Sequence, residues 1–95
     1  MPRDVDAPPS RDVVATIRVR RDRFDLMTRI VGATTPDARA ELIGVHRRTL
    51  NRALKGRPGD KFMAQTVAAL RRHSEALGAC GLAPTLDELF EVVAA

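Results

Sequence analysis

The chain has 95 residues, 16 Lys and Arg against 12 Asp and Glu for a net charge of +4, one cysteine, three Phe and no Trp or Tyr. A chain this long forms one domain at most and buries only about two thirds of its unfolded surface, so its core must be small and aliphatic, which favours packed helices. The single Cys80 excludes an intrachain disulfide and reads as a small core or surface residue, and His46 and His73 have no thiol or carboxylate at metal-ligand spacing, so neither metal nor cofactor is expected. The opening "MPRDVDAPPSRD" lacks the apolar run of a signal peptide and no stretch approaches membrane-spanning length, so a cytoplasmic location is expected.

In chain order, residues 1–12 hold Pro2, Pro8, Pro9, Ser10 and alternating charges with little to bury, the composition of a disordered arm; residues 13–95 are expected to form the single domain. Over residues 13–20, Val13, Ala15, Ile17 and Val19 alternate with Val14, Thr16, Arg18 and Arg20, the period of a half-buried strand. One strand cannot stand alone, and the doublet Val92–Val93 is its only β-branched counterpart, so it pairs either within the chain as a small antiparallel ribbon or by exchange with a second subunit.

From Asp22 the spacing becomes helical: Phe24, Met27, Ile30 and Val31 share a face and Gly32 is a stop signal. "TTPDA" starts a second helix, with Thr35 as N-cap, Pro36 at the first helical position and Asp37 in the first turn. That helix reaches Ile43. Gly44 turns the chain, a third helix resumes near His46, and Gly56 stands where a C-terminal cap is needed. Asp60 is placed to cap a fourth helix burying Phe62, Met63, Thr66, Val67, Leu70 and Leu77, with fraying over residues 78–81, and Thr85 with Glu88 has capping-box spacing for a short fifth. The fold class expected is mainly α: five helices with a possible β-ribbon from the two ends.

The charge is not evenly spread. Residues 1–38 carry seven cations and six carboxylates, residues 39–72 nine and two, residues 73–95 none and four. On the third helix Leu50, Ala53 and Leu54 face inward, which leaves Arg47, Arg48, Asn51, Arg52 and Lys55 on one outward stripe. Such a stripe suits the major groove of DNA: Arg bonds guanine bidentately, Asn bonds adenine, and further cations hold phosphates. His46 opens the helix and is placed for a base or phosphate, or simply to cap it. Arg57 and Lys61 flank the far end of the helix as phosphate candidates, whereas Arg18, Arg20, Arg71 and Arg72 read as ordinary surface charge.

"TTPDARAELIGVHRRTLNRALKG" resembles the helix-turn-helix of the Cro and phage-repressor-like (XRE) family, through Thr35, Ala40, Gly44, Val45, Thr49, Leu50 and Gly56, and "TLDELF" resembles the closing helix of those domains. The resemblance covers residues 24–90, with the helix-turn-helix at about 35–56. It implies that His46, Arg47, Arg48, Asn51 and Arg52 read bases and that Thr35 and the start of the second helix lie near a phosphate, while Lys55, Arg57 and Lys61 are backbone candidates by their charge and position. Two positions depart from the family: Arg39 replaces a usually apolar residue, and Ala53–Leu54 stands where Ile or Val is usual, which implies a shifted packing of the two helices.

The expected function is therefore sequence-specific binding of double-stranded DNA as a phage or bacterial transcriptional repressor, acting as a homodimer through the strand and the acidic, apolar C-terminus. The rival readings are a DNA-bending accessory factor of recombination and a protein-interaction module such as an antirepressor or antitoxin. An enzyme is not expected: there is no Ser, His and Asp arrangement, no paired carboxylates and no glycine-rich phosphate loop.

Overall fold

The computed structural model describes residues 14–94, so the expected N-terminal arm and Val13 lie outside it. The elements run β1 (Ala15–Val19), α1 (Arg21–Ile30), α2 (Pro36–Ile43), α3 (Arg47–Lys55), α4 (Asp60–Arg71), α5 (Ser74–Ala79), α6 (Leu86–Leu89) and β2 (Phe90–Ala94). The domain is thus mainly helical with one two-stranded antiparallel sheet. Among the described residues no helix is long and apolar enough to cross a membrane.

The ribbon forms within the chain, with Val19 opposite Phe90, Ile17 opposite Val92 and Ala15 opposite Ala94. Its two ends have different surroundings. Val19 and Phe90 are buried at the base, while on the same face Val92 is 74% exposed, so the alternation read from the sequence buries a strand face only where helices lie beneath it. The Arg20 N–H donates to the Leu89 carbonyl at 2.8 Å and closes the base where β1 enters α1 and α6 enters β2.

α1 ends as its glycine requires. Gly32 has φ +93°, its N–H bonds Arg29 O at 3.0 Å, and the Ala33 N–H bonds Thr28 O at 2.8 Å, a Schellman closure of the free carbonyls. Phe24 and Met27 are fully buried and join Leu50, Leu70, Leu77 and Leu89 in a core reaching every helix. The buried hydroxyls of Thr28 and Thr66 donate to the carbonyls of Phe24 and Phe62, at 2.8 and 2.7 Å, so neither is left unsatisfied.

Among the described residues six helices replace the expected five because the fourth is divided. The N–H groups of Arg72 and His73 bond back only three residues, to Ala69 and Leu70, so the chain tightens into a short 3₁₀ turn there, and the Ser74 hydroxyl donates to Arg71 O at 2.6 Å beside it. Other start and stop signals act differently from the expectation. Asp60 is the first residue of α4 rather than its cap, since Gly59 holds the N-cap position without a side-chain bond. Gly56 ends α3 with φ −123°, outside the left-handed region. Thr85 Oγ1 accepts from the Glu88 N–H at 3.2 Å, but the Glu88 carboxylate pairs with Arg23 instead of returning to Thr85, so only half of the capping box forms. Cys80 is exposed.

Arg39, half-buried on α2, is held by one aromatic and two polar contacts. Its guanidinium lies over the Phe24 ring, 6.0 Å from the centroid, donates to Ala33 O at 3.1 Å and pairs with Asp25 at 3.1 Å, with the side chain only 16% exposed. It ties α2 to α1 and to the loop between them.

The α2–α3 connection depends on Gly44, whose φ of +85° is left-handed. A Cβ built there meets only Gln65 Nε2, at 3.5 Å, an ordinary contact, so the cost of a side chain is backbone strain rather than a clash. Gly44→Ala should lower the unfolding free energy in urea by about 1–2 kcal/mol, and Gly44→Asn by less, since Asn visits the left-handed region more readily.

Candidate nucleic-acid interface

α2 begins with a satisfied cap: Thr35 Oγ1 accepts from the Ala38 N–H at 3.1 Å, and Pro36 at the first helical position has no N–H to leave unpaired. The Thr35 hydroxyl keeps its own proton to donate outward. At the other end, the N–H groups of Gly44 and Val45 both bond Ala40 O, at 2.8 and 3.0 Å, and Ile43 is buried just before the turn. α4 closes the corner from outside, where Gln65 Nε2 donates to Gly44 O at 3.3 Å.

α3 then starts from His46, whose Nδ1 accepts from the Arg48 N–H at 3.0 Å. This gives His46 a capping role and leaves Nε2 pointing away from the bond. Leu50 and Ala53 are buried; Leu54 is half-buried against the core, less enclosed than expected. Their burial sets the rotation of the helix. Arg47, Arg48, Asn51, Arg52 and Lys55 are all exposed, and at 100° per residue they span about 140° of the circumference. The structure therefore brings these five together on one side of α3, with His46 at its start.

The charges on that side are unequal in freedom. Arg47 Nη1 lies 3.3 Å from Asp37 Oδ1, linking the stripe to the first turn of α2, with both side chains largely in solvent. Arg48, Arg52, Lys55, Arg57 and Lys61 meet no carboxylate among the described residues. Asp37 also sits at the positive end of α2, where it takes up part of the field that would attract a phosphate to Thr35.

Arg57 and Lys61 do not flank the same end of α3, contrary to the reading from their proximity in sequence. Arg57 lines a cleft of about 440 Å³ beside Ile17 and Val92 of the ribbon. Lys61 lines one of about 300 Å³ with His46, Thr49 and Gln65, at the start of α3. The cause is the path of α4: it packs on α2, and Lys61 is one helical turn before Gln65, so the bond from Gln65 to the corner brings Lys61 there too.

Two residues of the site escaped the sequence reading. Gln65 has no role in the spacing of motif residues, although an amide among Phe62, Met63 and Thr66 stands at the edge of the buried side of α4; Thr49 enters only as a motif residue, yet it is exposed and overlooks the Lys61 cleft. The chain matched no family model, no curated protein and no solved structure.

Both caps that aim the helices can be tested without a ligand. Thr35→Ala and His46→Ala should each lower the unfolding free energy by about 1 kcal/mol, and Thr35→Ser and His46→Asn should retain most of it, by urea or thermal denaturation.

Proposed function

We propose that the protein binds double-stranded DNA by laying the outward side of α3 in the major groove, with α2, the Gly44 corner and α3 serving as a helix-turn-helix. The observation that carries this reading is the sorting of α3 into a buried Leu50–Ala53 side and an exposed side of Arg47, Arg48, Asn51, Arg52 and Lys55. Major-groove edges offer guanine acceptors to Arg and the paired donor and acceptor of adenine to Asn, so His46, Arg47, Arg48, Asn51 and Arg52 are the base readers proposed. Thr35, Lys55, Arg57 and Lys61 are the proposed phosphate contacts; Lys61 serves the start of α3 and Arg57 the ribbon side.

Binding requires Arg47 to leave Asp37. An exposed pair of this kind contributes about 1 kcal/mol or less, so a guanine edge in the groove outweighs it. The further step to a repressor that occupies a promoter rests on the resemblance to the Cro and phage-repressor-like family. One recognition helix reads only a few base pairs, which favours a homodimer on a two-fold site; the projecting end of the ribbon, with Val14 60% and Val92 74% exposed, is the surface proposed for the second copy.

Fluorescence anisotropy tests this directly: random duplex should bind in a salt-dependent manner and a selected site at least tenfold more tightly, whereas no binding at low salt would contradict the proposal and favour an interaction module. Arg47→Ala and Asn51→Ala should each cost about 1–3 kcal/mol on the selected site and relax its sequence preference. Arg57→Ala should weaken all sequences alike.

A further inference from the structure

The ribbon contributes charge as well as an apolar end. Where β1 packs on α3, a cleft of about 630 Å³ is lined by four cations, Arg18, Arg20, Arg21 and Lys55, and two carboxylates, Asp22 and Glu91. Two of the cations are already engaged. Arg20 lies 3.7 Å from Glu91 and its Nε donates to Asp87 O at 3.1 Å, while Arg21 pairs with Asp25 at 3.6 Å.

Arg18 differs from both. Across the ribbon it stands opposite Glu91, its natural partner, yet the Glu91 carboxylate reaches Arg20 instead. Val19, the next residue, is buried in the core, so strand alternation directs Arg18 to the opposite side, and it is exposed. Among the described residues neither Arg18 nor Lys55 meets a carboxylate. They leave an excess of positive charge where the last turn of α3 meets the strand.

We propose that Arg18 is a phosphate-binding residue that, together with Lys55, grips the DNA backbone beyond the C-terminal end of α3. This rests on the reading of α3 as the duplex-binding helix. The local electrostatics explain why side chains must do it: a helix N-terminus offers backbone N–H groups to a phosphate, but a C-terminus presents carbonyls and negative partial charge, so an anion there requires cations from neighbouring elements. β1 supplies one from a backbone held by its partner strand and by buried Val19. The ribbon thereby extends the contact from the helix onto a second element and fixes the angle at which α3 meets the groove.

The test is the salt dependence of binding to a random-sequence duplex, by fluorescence anisotropy, for the wild type, Arg18→Ala, Arg18→Gln, Arg18→Lys and, as a control cation just past the end of α4, Arg72→Ala. Loss of one phosphate contact should lower the slope of log affinity against log salt by about 0.9 in Arg18→Ala and Arg18→Gln, with selected and random sequences weakened by the same factor. Arg18→Lys and Arg72→Ala should keep the wild-type slope. Arg18→Gln retains the aliphatic stem, so it separates loss of charge from damage to the ribbon. A wild-type slope in Arg18→Gln, with the wild type itself binding duplex, would overturn the proposal while leaving the role of α3 standing; no duplex binding by the wild type would overturn both.

Discussion

The left-handed turn at Gly44 is the constraint on which the candidate interface depends. With φ at +85°, the chain leaves α2 and reaches the start of α3 within three residues, 44–46, too short a connection to permit another path. Ala40 O holds the inside of the turn by accepting from Gly44 and Val45, and Gln65 holds the outside by donating to Gly44 O. Burial of Leu50 and Ala53 then fixes the rotation of α3 about its axis. Direction and rotation together decide which side chains face solvent, so the grouping of Arg47, Arg48, Asn51, Arg52 and Lys55 follows from a glycine, an amide and two buried residues.

The same economy holds the corner to the rest of the domain. Arg39 reaches from α2 to Asp25 and covers Phe24, so a cation joins two helices where an apolar side chain would only fill space. Arg20 does similar work at the ribbon base, bonded to Asp87 O and paired with Glu91. In a chain with so many arginines, the useful distinction is between those held by carboxylates and carbonyls and those left with none. Arg20, Arg23, Arg39 and, in an exposed pair, Arg47 fall in the first group; among the described residues Arg18, Arg48 and Arg52 fall in the second and can meet a partner without first breaking an ion pair.

Much of this was legible in the residues, and the remainder was hidden for identifiable reasons. Thr35 before Pro36, the glycines at 32 and 44, the period-two run of β1 and the stripe on α3 are local signals, set by steric limits and periodicity that act within a few residues. The in-chain pairing of β1 with Val92 and Val93 was one of two arrangements that the pattern allowed. The division between α4 and α5 was hidden because the tightened turn at Arg72 and His73 carries no glycine or proline to mark it. Lys61 was assigned to the wrong end of α3 because its position depends on how α4 crosses α2, which no spacing encodes. The contrast between Arg18 and Arg20 was invisible for the same reason: two residues apart on one face, they differ in that Glu91 and Asp87 O both engage Arg20.

Selection of bound sites from a random duplex library measures the central claim, that the outward side of α3 reads duplex DNA, most directly. Enrichment of a two-fold consensus is the predicted result, since it reports base reading and paired half-sites together. A folded protein that retains no sequence above its abundance in the starting library would contradict the account.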